Sequence, residues 1–432
     1  MKILYICQRI PFPPDRGDRI PVYHQIRRLR RTHEVVVGSL AHPGSRKNAE
    51  MLEKELNVKV LAPGHSRWRQ ISGMILAFLR GEPLSPGYFR NSKLSSLIDA
   101  ELAETRFDAV IVFSSSMAQY AINRGHVPGI MNFCDVDSLK WKALAEKSYW
   151  PIRWIYQRES RTLLACERKI VASFNASCVV SRNEAELFRK YIPGITIDTI
   201  ENGVDFDYFS ALPRKPDGIN IVFVGVMDYP PNVEAVVFFA NHVWEEIRKV
   251  HPQARFIIVG AKPAKSVIGL VKIPGIEVTG YVTDVRPYLA AATISIAPLG
   301  TARGVQNKIL EAMAACVPVL TTPDVAKGLP DDAESLVFTA ERNTAAFSSV
   351  LLDLINNKGI REERAADAAE FIRRNCVWET KLRALDTLLD RIVNCEIKNT
   401  PQAMDATDKR QPPKTRKSRL MTETKAEFTK SK

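Results

Sequence analysis

No Cys-x-x-Cys pair occurs in this 432-residue chain, and no stretch reaches the roughly 20 consecutive apolar residues that a bilayer-spanning helix needs. The seven cysteines (Cys7, Cys134, Cys166, Cys178, Cys316, Cys376 and Cys395) stand singly and are odd in number. That argues against a disulfide framework and a thiolate zinc site, and fits small buried thiols in a reducing compartment. The apolar start, Met1 to Cys7, is too short for the core of a secretory signal and reads as a first strand. No Gly-x-Gly-x-x-Gly follows an early strand of either half, so the dinucleotide fingerprint is missing. Nor does the basic charge gather on a recognition helix or an aromatic RNA motif, so no nucleic-acid partner is expected. These absences leave a cytoplasmic protein, with peripheral attachment to the inner face of the cytoplasmic membrane still open.

What is present is ordinary for a globular chain: 45% apolar and 25% charged residues. The length exceeds one ordinary core, so two domains of roughly 200 residues are expected. The net charge is +13, and residues 396–432 contribute ten Lys and Arg against five Asp and Glu. A positive balance suits nucleic acid, an anionic membrane or an anionic substrate and chooses poorly among them. The composition of 396–432 has little to bury and reads as a basic disordered tail.

Short apolar runs alternate with helical patterns in the first half. Strands are expected at Lys2–Ile6, Glu34–Leu40, Val58–Leu61, Asp108–Phe113, Gly129–Phe133, Ala176–Val180 and Ile197–Ile200. Trp141–Ala172 reads as long helix interrupted near Pro151. The grammar restarts after a Pro- and Gly-bearing stretch, Phe206–Gly218. Strands are then expected at Ile219–Val224, Arg255–Val259, Ile276–Thr279, Thr293–Ala297 and Val317–Thr321, with a helix over Val233–Val250. Further helices fit Thr344–Asn356, Arg361–Arg374 and Trp378–Val393; in the last, Leu382, Leu385, Leu388, Leu389 and Ile392 share a face. The fold class is therefore α/β, with two doubly wound Rossmann-like domains. The first spans 1–205, a linker 206–218, and the second 219–377. A helix at 378–395 is expected to return toward the first domain, ahead of the tail.

Two segments carry the chemistry. Val222-Phe-Val-Gly-Val-Met-Asp-Tyr-Pro-Pro-Asn232 is an apolar strand running into a glycine turn and a helix start. Gly304-Val-Gln-Asn-Lys-Ile-Leu-Glu-Ala-Met-Ala314 is a loop opening a helix, with Lys308 and Glu311 one turn apart. Strand, loop, helix N-terminus and following carboxylate are the parts that hold a nucleotide diphosphate.

The ordered motifs resemble glycosyltransferase family 4, a family of GT-B fold whose two domains face across a cleft. Ile200-Glu-Asn-Gly-Val-Asp205 with Phe209, Gly280-Tyr-Val-Thr-Asp-Val-Arg286, and Lys308-Ile-Leu-Glu-Ala-Met-Ala with Pro318-Val carry the likeness. Pro11-Phe-Pro-Pro-Asp-Arg-Gly17 resembles the family's N-terminal glycine loop. Together with Asp18, that loop is similar to the sugar transferases of PEP-CTERM and exopolysaccharide loci. Asp135-Val-Asp-Ser-x-x-Trp141 and Ala302-Arg-Gly-Val-Gln-Asn-Lys308 share that closer likeness.

The resemblance implies that Glu311 accepts hydrogen bonds from the donor ribose hydroxyls, a task that suits a carboxylate. An exposed helix glutamate is the plain alternative. The family often places a second glutamate, contacting the donor sugar, where this chain has Arg303. Its usual Arg and Lys after the Gly225 strand are absent as well. Arg303 and Lys308 are therefore expected to serve the diphosphate, because a departing charge is stabilised by pre-placed cations and amides. Arg303 as a mere surface residue is the alternative. Gly225 and Gly304 would let backbone approach the donor, or form plain turns. Asn232 contacts the donor or simply caps its helix. Tyr281 and Val282 resemble the base-contacting segment, or pack a strand end. Gln306 belongs to the donor loop. Only Gly17 is expected to give close backbone approach in the first loop, since Asp18 fills the place of a frequent second glycine; a proline-rich turn is the alternative.

Asp135 and Asp137 follow an apolar strand, where sites form. Either would bind the acceptor or assist its deprotonation. Asp-Val-Asp also matches the metal motif of GT-A transferases, but the two-domain pattern favours a metal-free site needing no cofactor. Arg67-Trp-Arg69 ahead of Ile71–Leu79, and Trp141, Trp150 and Trp154 with Lys142 and Arg153, fit either core burial or an anionic membrane surface. The expected activity is transfer of a sugar, with retention by resemblance, from a nucleotide diphosphate sugar donor to a hydroxyl acceptor. That acceptor is a glycan or lipid-linked glycan. Rival readings are a GT-B epimerase, a phosphorylase (no pyridoxal-lysine segment is found) or a non-enzymatic nucleotide- or nucleic-acid-binding protein.

Overall fold

The computed structural model describes residues 1–399 apart from 123, 125, 126, 301–305, 331 and 332, without the side chains of 395–399. Of the expected basic tail, 396–399 continue the last helix instead of being disordered, and the remainder, 400–432, lies outside the described residues. The first sheet contains β1 (Lys2–Ile6), β2 (Glu34–Gly38), β3 (Lys59–Leu61), β4 (Ala109–Phe113), β5 (Gly129–Cys134), β6 (Ala176–Val179) and β7 (Asp198–Thr199). Their spatial order is β3-β2-β1-β4-β5-β6-β7. The second sheet contains β8 (Asn220–Val224), β9 (Arg255–Val259), β10 (Ile276–Gly280), β11 (Ile294–Ala297), β12 (Val319–Thr321) and β13 (Phe338–Thr339), in the order β10-β9-β8-β11-β12-β13. Every pairing between these strands is parallel.

Parallel strands covered on both faces must be apolar on both faces, and β1 shows how. Ile3 and Tyr5 enter one buried cluster while Leu4 and Ile6 enter the opposite one. Tyr5 keeps its hydroxyl satisfied by donating to Gln25 at 2.7 Å. The second sheet packs into a single cluster, where Phe239, Trp244, Phe256 and Phe347 interlock.

The chain crosses between the sheets twice. Val204 and Val377 pair across the two crossings. A Cβ on Gly203 would lie 2.6 Å from the main chain of Trp378, so only glycine fits. Trp378 stacks on His24, with ring centroids 4.4 Å apart. The helix Arg383–Asn399 then lays Leu385, Leu388, Leu389 and Ile392 into the core beside β1 and β2. Arg28 with Asp386, at 2.8 Å, and Lys381 with Glu201 pin this return.

Differences from the sequence pattern are local. The helical run at Val233–Val250 divides into Pro230–Phe238, a π-helical turn Phe239–Val243 and Trp244–Val250. Leu382 breaks the last pattern, giving Trp378–Lys381 and Arg383–Asn399. The stretch Phe206–Gly218 opens with a short helix, Phe206–Ser210, started by the Asp205 side chain accepting from the Tyr208 N–H. β13 has two residues, too few to show a period.

Candidate functional site at the edge of the second sheet

Strand order in the second sheet reverses between β8 and β11. Loops leaving two such strands diverge and open a crevice at their carboxyl ends. The loop after β8 begins with Gly225, whose N–H donates to Val259 O at 3.0 Å. A Cβ on Gly260, after β9, would fall 1.7 Å from Gly225 O. The two loops thus touch backbone to backbone, and a side chain at Gly260 would push them apart. Gly225 is also constrained by Asn232, since a Cβ there would lie 2.7 Å from Asn232 Nδ2.

Asn232 does not cap its helix. The cap position is Tyr229, with proline at the first helical residue. Asn232 is buried, its Nδ2 donates to Val226 O at 2.9 Å, and its Oδ1 accepts from Lys308 Nζ at 2.5 Å. One amide therefore ties the turn after β8 to the helix Asn307–Ala314 after β11. The ammonium also lies 4.8 Å from the centroid of the Phe223 ring.

Glu311 stands one turn along that helix, on the same side as Lys308. Both are half-buried by area, yet protein crowds them closely. Burial pulls the Lys308 pKa down to about 8, with Glu311 partly offsetting the fall. Burial pushes Glu311 up to about 7, with Lys308 partly offsetting the rise. Among the described residues the Glu311 carboxylate accepts no hydrogen bond. A carboxylate crowded by protein without donors is one that gains by meeting a ligand's hydroxyls.

Gln306 takes the cap position of this helix, with extended backbone. Next to it, Asn307 Oδ1 accepts from Asn202 Nδ2 at 3.3 Å, which brings the helix start to the first crossing between the sheets. Arg303 and Gly304 lie outside the described residues. Tyr281 and Val282 follow β10 at the same edge of the sheet; Tyr281 is 70% exposed, whereas Val282 packs against the core. The nearby Asp284 is held by Arg286, whose guanidinium also covers the Tyr208 ring at 3.9 Å.

The first sheet reverses between β1 and β4. Gln8 Nε2 donates to Ser114 Oγ at 2.8 Å across that point, and Ser114 holds a φ of 76°. Gly17 is exposed and a Cβ on it would meet nothing within 4 Å, so packing within the chain does not demand glycine there. Asp18 is tied to Arg9 at 2.5 Å; burial opposes its ionisation, but the guanidinium wins and holds its pKa low. Asp135 and Asp137 flank the start of the helix Asp137–Glu146, just past β5. Asp137 Oδ2 accepts from Ser115 Oγ at 3.0 Å. Burial, against an offset from Lys140, raises its pKa to about 6. Other carboxylates close this turn: Glu184 accepts the Val136 N–H at 2.8 Å, and Glu167 accepts the N–H and hydroxyl of Ser138 at 3.0 and 2.6 Å.

Sequence reasoning did not pick out Gly260, Asn202 or Ser115. Gly260 had a signal, a glycine directly after an apolar strand, as at Gly225. Ser115 had none. Among the described residues no group of three His, Cys, Asp or Glu side chains is placed to hold a metal ion.

Comparisons with known proteins fit this geometry. Residues 218–357, from β8 through β13, match the family model described as glycosyl transferases group 1. The chain is 22% identical over 393 residues to an uncharacterized 44.6 kDa protein in the cps region of Klebsiella pneumoniae, covering 87% of this chain and 96% of that protein. The structure resembles the sucrose-phosphate synthase of Thermosynechococcus elongatus (TM-score 0.68, 13% identity, 91% of this chain and 100% of that one). It likewise resembles HepE of Anabaena, solved with UDP and glucose (TM-score 0.64, 13% identity, 90% and 100%). At such identities the likeness shows the fold, which is the GT-B arrangement of two Rossmann-like domains.

Proposed function

We propose that this protein transfers a sugar from a nucleotide diphosphate sugar to a hydroxyl acceptor, working in exopolysaccharide or cell-surface glycan synthesis. The observation that carries the reading is the Asn232–Lys308–Glu311 constellation at the reversal point of the second sheet. Lys308 is set to face the diphosphate, next to a helix start whose free N–H groups favour anions. Glu311 would accept from the ribose hydroxyls. Arg303 and Gly304 complete the donor loop in this reading, and Tyr281 with Val282 would border the base. The group 1 match over this same domain supports the reading, as does a solved relative of the fold holding UDP and glucose.

The acceptor meets the first domain, where Asp137 keeps a pKa near 6 and lies beside Asp135. A carboxylate tuned toward neutrality is suited to take a proton from an attacking hydroxyl. In this reading Lys308 and Arg303 serve the diphosphate and no metal is needed. Closure of the cleft aligns donor and acceptor and excludes water. Retention of the anomeric configuration and a glycan or lipid-linked acceptor belong to the same reading. The cps-region relative supports the surface-glycan setting.

Thermal unfolding against a panel of UDP-, GDP- and ADP-sugars tests the donor half, because a ligand that binds only the folded state raises the transition, more so the tighter it binds. One donor class should stabilise the protein, and the shift should shrink in Glu311→Ala at the same donor concentration. No shift from any nucleotide sugar would overturn the reading. Assigning the product anomer by NMR, once an acceptor turns over, decides retention.

A further inference from the structure

The helix Arg67–Leu79 is built inside out for a soluble protein. Its buried positions are Gln70, Gly73 and Ala77. Its large apolar side chains face solvent: Trp68 is 82% exposed and Leu79 76%, and Ile71, Ile75 and Phe78 are open as well. Soluble helices place the large apolar residues inward. The inversion is enforced by packing. A Cβ on Gly73 would lie 2.2 Å from Gly87 O, so this helix rests directly on the backbone of the short helix Leu84–Tyr88. Only small residues fit on that side, and the bulky ones are turned outward.

A second element joins the same face. The helix Ile152–Ser173 anchors Leu84–Tyr88 through Glu159, which accepts from the N–H groups of Leu84 and Ser85 at 2.6 and 2.8 Å. Its first turn brings Trp154 to the Phe78 ring, with centroids 6.2 Å apart. Trp150, 84% exposed, and Ile152 extend the apolar surface. Exposed apolar residues scattered singly need no explanation, but a contiguous aromatic and aliphatic face drawn from two elements does.

Charge identifies what covers it. Residues 67–80 contain Arg67, Arg69 and Arg80 and no acid. Residues 140–158 contain five Lys and Arg against one Glu. Between the helix Asp137–Glu146 and the helix Ile152–Ser173 lies a cavity of about 430 Å³, bordered by the cations Lys142, Arg153 and Arg161 against one acid, Glu146. Among the described residues none of these six cations enters an ion pair. Exposed apolar side chains accompanied by unpaired cations match the acyl boundary and phosphate layer of an anionic bilayer.

We propose that this face of the first domain docks on an anionic lipid bilayer. Trp68, Ile75, Leu79, Trp150 and Trp154 enter the interface, and Lys142, Arg153 and Arg161 receive a lipid phosphate. No helix among the described residues is long and apolar enough to cross a membrane, so the attachment is to one leaflet. The docking does not depend on the proposed sugar transfer.

The test is co-sedimentation of the full chain with phosphatidylcholine vesicles, with and without phosphatidylglycerol. Binding should require phosphatidylglycerol and weaken with salt. Ile75→Glu with Leu79→Glu should lower vesicle affinity by roughly 100-fold or more, as each inserted side chain supplies a factor of about ten upward. Arg153→Glu with Arg161→Glu should lower it by at least fivefold for each cation lost. Val271→Glu with Lys272→Glu, exposed on the second domain, should leave binding and melting unchanged. Three results would each overturn the proposal. One is equal binding to both vesicle types or to neither. Another is undiminished binding by the Ile75 and Leu79 variant, which would assign attachment elsewhere in the chain. The third is a dimer in sedimentation that the same variant splits, which would make the face a contact between two copies.

Discussion

At the carboxyl edge of the first sheet, Glu184 and Glu167 accept hydrogen bonds from the main-chain N–H groups of Val136 and Ser138, and Asp137 accepts from Ser115. At the corresponding edge of the second sheet, Glu311 accepts none among the described residues, while its neighbour Lys308 is positioned by Asn232. Both turns lie at the carboxyl ends of parallel strands, the first past β5 and the second past β11. They differ in where the carboxylates find donors. In the first domain the chain supplies them and the carboxylates hold a turn in shape. In the second the described residues supply none, which suits a carboxylate that meets a ligand's hydroxyls. A shifted pKa alone does not separate the two cases, because burial raises Glu167 to about 8 and Glu311 to about 7 alike.

The comparison can be broken most forcibly at Gly260. Gly260→Ala places a methyl group 1.7 Å from Gly225 O, which should cost about 3 kcal/mol or more of stability and abolish donor binding. Urea unfolding and the donor-induced thermal shift measure both. If the variant binds donor normally, the contact between the two loops does not shape the site.

Next in size is a crossed pair. Glu311→Ala should weaken donor binding by roughly 10- to 100-fold, since two hydrogen bonds to a charged acceptor are lost, with little change in melting. Glu167→Ala should do the reverse, leaving the N–H and hydroxyl of Ser138 unsatisfied at a cost of about 2 kcal/mol of stability, with donor affinity retained. Calorimetric titration and denaturant midpoints read the two axes. If both variants lose the same property, the contrast between the edges fails.

Asp137→Asn sharpens the contrast from the acceptor side. It keeps the hydrogen bond from Ser115 and removes the base, so turnover should fall by about 100-fold while donor affinity stays unchanged. A profile of rate against pH should rise through about pH 6, the ionisation of Asp137, and lose that limb in the variant.

The smallest effect concerns pH and the free protein. Glu311 binds its proton more tightly folded than unfolded, so protonation stabilises the fold. That contribution is complete below about 4.5 and is lost as pH rises through about 7. Lys308 binds its proton less tightly when folded, so stability recovers between about 8 and 10.5. Donor affinity should run the other way, peaking near pH 7 to 8, where Glu311 is ionised and Lys308 still charged. Glu311→Gln should flatten the acid limb of both curves, as followed by melting and titration across pH.

Much of this architecture is legible in the chain. The seven strands expected in the first sheet lie where the apolar runs stand, from Lys2–Ile6 to the pair at Asp198–Thr199, and five of six are found in the second. Each is a short run with apolar residues on both faces, a signal that survives without tertiary knowledge. β13 leaves no such signal in two residues. The breaks at Phe239 and Leu382 interrupt apolar spacing that continues through them. Of the site, Lys308 and Glu311 stand out by spacing after a glycine loop. The work of Asn232 does not, because its partners lie 6 residues before it and 76 after it.

Sequence by itself determined the two parallel sheets, their order along the chain and the helix that carries Lys308 and Glu311, because periodic burial and turn residues act over a few neighbours. Tertiary structure alone decided which carboxylates find donors among the described residues, which glycines must touch and which face of Arg67–Leu79 meets water. Those outcomes depend on atoms brought together from distant segments. Gly73 against Gly87 is the plainest case: the close approach of two backbones, and not the apolar count, turned the large side chains outward.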